Sequence, residues 1–393
     1  MNKKASLTVI FLTIFIDLMG FGILIPILPT FATKELGVSD FGIGLVIAIY
    51  SLMQFFFNPL LGKLSDKIGR RPLILATQLL TAIAYLLFSF STTFWILFLS
   101  RLLAGLGGSN IAVAQAYIAD ITSKEERTKG MGMIGAAFGL GFVFGPLIGA
   151  FLSKYGYAVA GYGSAAFSLM AFIFAYFKLP ESLKVKKDFK FEIKLFDIKS
   201  IKRIAGIPGV GFLMLLFFII IFSVSNIYGT FALLGYKIYH FTDQQNGILF
   251  GISGIVGAVI QGGVMRRLSV LMKERTLILI GAVFLMFGIG LIPYGYNFLG
   301  VSLVISALGV GSGILQPLLL SMISKYSPDN EQGEILGINQ SFSSMARVLG
   351  PLWGGFAYEF IGYQYPFLTG GFFTLVTLIL ALVFLKNLDK KEE

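Results

Sequence analysis

Asp17 is the residue of this chain whose chemistry is hardest to reconcile with its surroundings. It stands inside an apolar run over roughly 7–30, about ten residues and so about 15 Å from the start of the helix that run should form. A carboxylate at that depth costs several kcal/mol unless it is paired, hydrated or protonated, so its proton should come and go with the wetness of its surroundings. That behaviour is what a proton carrier requires. The plainer alternative is a fixed ion pair with Arg101 or Arg347, which also fall inside apolar stretches. A guanidinium keeps its proton, so neither arginine is a carrier. Each can tune Asp17 or attract an anionic group, and Arg347 can equally pack beside Gly350-Pro351. Other chemistries have little to work with. The chain holds no cysteine and a single histidine, His240, in an expected external loop, which argues against metal sites and against Ser/His/Asp catalysis. It contains no Gly-x4-Gly-Lys-Ser/Thr string, so ATP is not its expected energy source. No cofactor is implied.

Elements that could hold such a carboxylate follow from composition. The chain has 393 residues, 56% hydrophobic and 13% charged, with 47 glycines and a mean hydropathy of +0.84. An ordinary soluble domain is about 25% charged. Most of the solvent around this chain must therefore be lipid, and a soluble enzyme is excluded. Twelve stretches approach the length of about 20 apolar residues that a span needs: roughly 7–30, 42–61, 72–90, 95–119, 131–153, 160–178, 208–232, 245–265, 276–293, 297–323, 335–358 and 366–385. The first keeps Asp17 inside it and lacks an Ala-x-Ala cleavage site, so it reads as a span. Lysines and arginines crowd alternate loops, with Lys63, Lys67, Arg70, Arg71, Arg266, Arg267, Lys273 and Arg275 on one side and only Lys34, Lys154 and Lys237 on the other. That places both termini in the cytoplasm. The same asymmetry accounts for the net charge of +11 without a nucleic-acid partner.

The longest polar segment, 179–207, separates an N-terminal bundle of six helices over 1–178 from a C-terminal bundle over 208–393. Within it Phe191, Leu195, Ile198 and Ile201 follow helical spacing between lysines, which fits a helix lying on the membrane face as well as a solvated basic connector. An offset of 205 residues lays Gly132 on Gly337, Gly145-Pro146 on Gly350-Pro351, Leu147 on Leu352 and Gly149 on Gly354 without a gap. The chain is therefore expected to be two related halves meeting at a central pathway. The expected fold is an all-α membrane protein of twelve transmembrane helices in two six-helix bundles related by an internal repeat.

Between the second and third stretches stands GKLSDKIGRR, with Gly62, Asp66, Gly69, Arg70 and Arg71. The glycines permit a tight turn, and an acid four residues before an arginine can pair with it. Asp120, at the end of the fourth stretch, can share Arg70. Together Asp66, Arg70 and Asp120 are expected to form a latch holding the cytoplasmic side closed; as a bland alternative, the loop is merely a basic one with incidental acids. The second half, GGVMRRLSVLMKERTLIL, keeps basic residues but has no counterpart of Asp66. Gly145-Pro146 should kink its helix, and Gly132, Gly141, Gly145 and Gly149 should let another helix approach as a sliding interface.

GKLSDKIGRR is similar to the signature loop of the major facilitator superfamily, and RLLAGLGG, with Arg101, Gly105 and Gly108, resembles its span-four motif. The string Gly132-x8-Gly141-x3-Gly145-Pro146-x2-Gly149 resembles the span-five motif of the drug:proton antiporters, with Ala150 where a second glycine is usual and Gly355 restoring it in the repeat. The opening FIDLMGFGILIPILP resembles the tetracycline efflux pumps and their relatives. The resemblance covers the whole chain. It implies the major facilitator fold, export in exchange for protons, and a coupling role for Arg101.

Polar uncharged residues inside the apolar stretches are candidates for a central cavity: Tyr50, Gln54 and Asn58, Asn110 and Gln115, Asn226, Gln261, Gln316, and Asn339 with Gln340. Each taken singly is more often glue between helices than a ligand contact. Together with Arg347 they describe a weakly polar, aromatic-rich cavity suited to a small amphipathic organic molecule. With the export in exchange for protons that the resemblance implies, the expected function is a monomeric secondary transporter of the inner membrane that exports such compounds. A metabolite or siderophore exporter and a proton symporter remain open within transport. A non-transporting sensor is the alternative outside it, against which the deep carboxylate argues.

Overall fold

The computed structural model describes residues 3–122, 124–183, 202–204, 206–328 and 331–389, and every regular element among them is helical. The helix expected over 191–201 lies outside the described residues. The chain divides into two compact units, Met1–Val38 with Ile49–Leu195, and Ser39–Ala48 with Phe196–Glu393.

In the first unit α1 (Lys3–Leu24) is followed by a short α2 (Leu28–Lys34) that Pro29 opens. Next come α3 (Asp40–Ile68), whose first residues belong to the second unit, and α4 (Arg70–Ser89). The fourth apolar stretch is two helices, α5 (Phe94–Gly107) and α6 (Asn110–Ile121), parted at Gly108-Ser109. The side chain of Thr93 caps α5 by accepting from the amide of Ile96 at 3.4 Å. The unit closes with α7 (Lys124–Leu152), which keeps Pro146 inside it, and α8 (Tyr157–Lys178). Its core joins Ile10, Ile14 and Leu18 of α1 to Leu73 and Ile74 of α4, Val113 and Tyr117 of α6, Ala137 of α7 and Ala175 of α8. Trp95, Phe90 and Phe177 stand exposed on its outside, as side chains facing lipid do.

The second unit holds α9 (Val210–Lys237), α10 (Asp243–Val259) and α11 (Met265–Leu271), the last two joined by a wide π-helical turn, Ile260–Val264. Thr242 and Gln245 form a reciprocal capping box at the start of α10. There follow α12 (Glu274–Gly290), α13 (Phe298–Lys325), α14 (Gln332–Phe360) and α15 (Tyr365–Asp389). Ten helical stretches among the described residues are long and apolar enough to cross a membrane. The stretches expected at 276–293 and 335–358 are helical but fall outside that set. The first is the 17-residue α12, and the second is α14, whose middle is diluted by Asn339, Gln340, Ser341, Ser343, Ser344 and Arg347.

Candidate functional site

Asp17 is buried within the first unit, and three helices meet at its carboxyl group. Oδ2 accepts from Nδ2 of Asn110 on α6 at 2.9 Å, and Oδ1 accepts from Oγ of Ser168 on α8 at 2.8 Å. The fixed ion pair with Arg101 does not form. Neither partner is charged, so the group is held in place without its charge being fixed, as an arginine would fix it. Ser168 is a residue of this group that sequence reasoning missed. Most serines and threonines of this bundle donate back to their own helix, as Thr77 does to the carbonyl of Leu73 at 2.8 Å, whereas Ser168 reaches across to another helix.

One turn along α1, Phe21 joins a second cluster. Its ring stacks on Tyr50 of α3 with centroids 4.8 Å apart, and the guanidinium carbon of Arg101 lies 4.7 Å from the Tyr50 centroid and 5.9 Å from that of Phe21. At 5% exposure this is a desolvated cation on aromatic faces, an arrangement worth about 2 kcal/mol. Nε and Nη1 of Arg101 have no acceptor among the described residues. Gln54 anchors the ring by donating through Nε2 to Tyr50 Oη at 3.2 Å and to the carbonyl of Gly108 at 3.1 Å. Glycine is needed at 105 on α5, because a Cβ there would stand 2.8 Å from Tyr50 Cα; one at 108, just past the helix, would stand 2.5 Å from Tyr50 Oη and push that side-chain end aside. The structure thus groups Asp17 with Asn110, and Arg101 with Tyr50 and Gln54, on opposite ends of a single turn of α1.

At the other end of the unit, Arg70 collects the expected acids. Its Nη2 lies 2.5 Å from Asp66 Oδ1 and its Nε 3.0 Å from Asp120 Oδ2. Nη1 donates to the carbonyl of Gly62 at 3.3 Å and to Ser65 Oγ, while Ser182 Oγ donates to Asp120 Oδ2 at 2.9 Å. Glu181, which sequence reasoning passed over, caps α4: Oε1 accepts from the amide of Arg70 at 3.0 Å and Oε2 from that of Arg71 at 3.2 Å. Gly69 has φ +110, a conformation that L side chains avoid, and a Cβ there would stand 2.5 Å from Glu181 Oε2. Gly62 contributes its carbonyl only, since a Cβ at that position would meet nothing nearer than Ala112 Cβ at 3.9 Å.

The glycine string of α7 packs against α1 of the same unit. A Cβ at Gly145 would stand 2.5 Å from Gly22 Cα, and one at Gly141 would stand 2.9 Å from Leu18 Cβ; one at Gly149 would strike the carbonyl of Ile23. Gly132 takes no part, having nothing within 4 Å of its Cβ position. In the second unit the matching string of α14 lies on α9, where a Cβ at Gly350 would stand 2.5 Å from Ser225 Oγ and one at Gly354 2.6 Å from Asn226 Oδ1. The internal repeat therefore reappears as a repeated helix contact. Asn226 serves that junction, donating through Nδ2 to the carbonyl of Pro366 on α15. Arg347 bonds Ser344 Oγ at 3.1 Å, Asn339 is buried, Gln316 is half-buried before Pro317, and Gln261 is exposed in the π-helical turn. The structure does not gather these four into one described cluster.

Long apolar helices in two units, with a carboxylate buried inside one of them, mark a membrane protein, and its similarity to known proteins makes it a transporter and not an enzyme. A family model described as Major Facilitator Superfamily matches residues 10–346 and 275–393, and the chain belongs to that superfamily. It is 30% identical over 391 residues to Multidrug resistance protein 2 of Bacillus subtilis (strain 168), covering 97% of this chain and 96% of that one. It is 32% identical to the class E tetracycline resistance protein of Escherichia coli, covering 91% and 89%. Among solved structures, the human organic anion transporter MFSD10 matches with a TM-score of 0.74 at 26% identity, covering 97% of this chain and all 100% of that one.

Proposed function

We propose that the protein is a proton-coupled exporter of small amphipathic organic compounds, working by alternating access as a monomer in the cytoplasmic membrane. In this reading α12 and α14 complete twelve spans, and both termini lie in the cytoplasm. The observation that carries it is the Asp17 carboxyl, 6% exposed and held by Asn110 and Ser168 without a cation. A carboxyl so placed can take up and lose a proton as the unit around it rearranges, and each proton driven inward supplies about 2.3 kcal/mol per 100 mV of membrane potential. Arg101, fixed on Tyr50 and Phe21, supplies a constant positive field nearby. The Asp66–Arg70–Asp120 cluster keeps the α3–α4 turn stiff and guards the cytoplasmic end.

A second reading within transport, export of organic anions, is favoured by the two unsatisfied donors of Arg101 and by the likeness to the human organic anion transporter. The test of the main reading is Asp17→Asn in proteoliposomes with an imposed pH gradient, assayed with ethidium and tetracycline. The wild type should move protons when the compound is added and Asp17→Asn should not. A neutral variant that still exchanges compound for protons overturns the reading. Competition by aromatic carboxylates but not by lipophilic cations would move the substrate to the anionic class.

A further inference from the structure

The core between Asp17 and the Arg70 end of the first unit contains polar groups that the protein itself leaves unsatisfied. Thr13 lies one turn from Asp17 on α1, about 6 Å along the axis. It is fully buried, and its hydroxyl has no partner among the described residues. By contrast, Thr77 and Thr81 of α4 bond back to their own helix at 2.8 Å and 3.0 Å. Gln78 of α4 is also fully buried, and both Oε1 and Nε2 lack a partner among the described residues. It sits one turn beyond Ile74, which shares a core with Ile10 and Ile14 on either side of Thr13. Tyr117 of α6, likewise at 0% exposure, belongs to that core and lies one turn from Asp120.

An amide with neither donor nor acceptor satisfied is expensive to bury, and polar atoms left over by a protein are ordinarily met by internal water making about three hydrogen bonds. We propose that Thr13 and Gln78 hold a short file of internal water that carries the proton of Asp17 through the first unit to its Asp120 end. This rests on the reading of Asp17 as the proton carrier. The O–H bond at Asp17 breaks and the carboxylate keeps the electron pair. The first water takes the proton and passes one of its own to the next, and a hydronium leaves beside Asp120; nothing is oxidised or reduced.

The experiment needs no substrate. The full chain in liposomes is given a stopped-flow pH jump, and the infrared carboxyl band of Asp17, identified as the band lost in Asp17→Asn, is followed in time. Gln78→Leu and Thr13→Val should slow the band at least tenfold with its final amplitude unchanged, and Gln78→Asn should recover most of the rate. Rates within twofold of wild type in both apolar variants overturn the water file. A band that never responds to pH sinks the carrier reading itself, and the file with it. Should Gln78→Leu not fold, Thr13→Val, which removes only a hydroxyl, still decides. In the unmodified protein, hydroxyl-radical labelling by X-ray radiolysis should mark Tyr117 and the Thr13 turn despite their burial, and an unlabelled core also overturns the proposal.

Discussion

Replacing Gly145 by alanine adds one methyl group where two backbones touch. The new Cβ would lie 2.5 Å from Gly22 Cα, 2.7 Å from Gly22 C and 3.0 Å from Ile23 N, all main-chain atoms that cannot rotate away. Carbon atoms rest at about 3.5–4.0 Å, so α1 and α7 must part by about 1 Å. A gap of that size forfeits up to half the dispersion energy of the neighbouring layers, Gly141 on Leu18 and Gly149 on Ile23, and overpacking of this kind costs about 1–3 kcal/mol. In a membrane such packing is a main source of helix association. Alanine in a helix recovers about 0.5–1 kcal/mol of the glycine penalty, leaving a net loss centred at about 1 kcal/mol and reaching about 2.5 kcal/mol. Gly132→Ala is the internal control: its methyl meets nothing within 4 Å, so only the gain applies. Thermal unfolding of the detergent-purified protein should show Gly145→Ala melting several degrees below wild type, at about 2–4 °C per kcal/mol, and Gly132→Ala at or above it. Gly145→Leu should reach the membrane and transport nothing. Equal melting temperatures for the two alanine variants would refute the argument from backbone contact.

Other expectations follow from the same geometry. Gly69→Ala should be both less stable and less active, because φ +110 with an extended ψ disfavours a Cβ by about 1–3 kcal/mol and the methyl displaces Glu181; Gly62→Ala, with room around it, should resemble wild type in the same melt and transport assays. Arg70→Lys should lose about 1–3 kcal/mol, since one ammonium cannot serve Asp66, Asp120, Ser65 and the Gly62 carbonyl together, and chemical denaturation would detect it. Tyr50→Phe, keeping the ring face but not the hydroxyl, should retain more than half of the transport rate, whereas Tyr50→Leu should lose at least tenfold; equal rates would remove the cation–π contact from the account.

Much of this was legible in the residues. Asp17 declared itself by depth alone, and the spacing of Asp66 and Arg70 fixed a pair one turn apart, as observed at 2.5 Å. Gly141, Gly145 and Gly149 are spaced by four and share one face, whereas Gly132 is nine residues before Gly141, which at about 100° per residue is the opposite face. That angle was in the sequence and explains why Gly132 meets nothing. Ser168 was not legible, because a serine in an apolar helix gives the same signal whether it bonds its own backbone or a carboxylate on a neighbour. Glu181 lay at the edge of a polar segment and became a cap only when folding brought the end of α8 against the start of α4. The amides misled in another way: Asn226 meets a carbonyl of α15, and Gln261 is exposed at a turn, so polarity inside an apolar run did not distinguish joints from lining.

Helix α1 is gripped on two sides by opposite kinds of contact. Toward α7 it presents Leu18, Gly22 and Ile23 with no tolerance for displacement, and toward α6 and α8 it presents a carboxyl on two hydrogen bonds that a small twist would lengthen. Any roll of this helix pivots on the tight side and is felt on the loose one. A lesion in α7, far from any proton, should therefore register first as a change in how Asp17 exchanges with water.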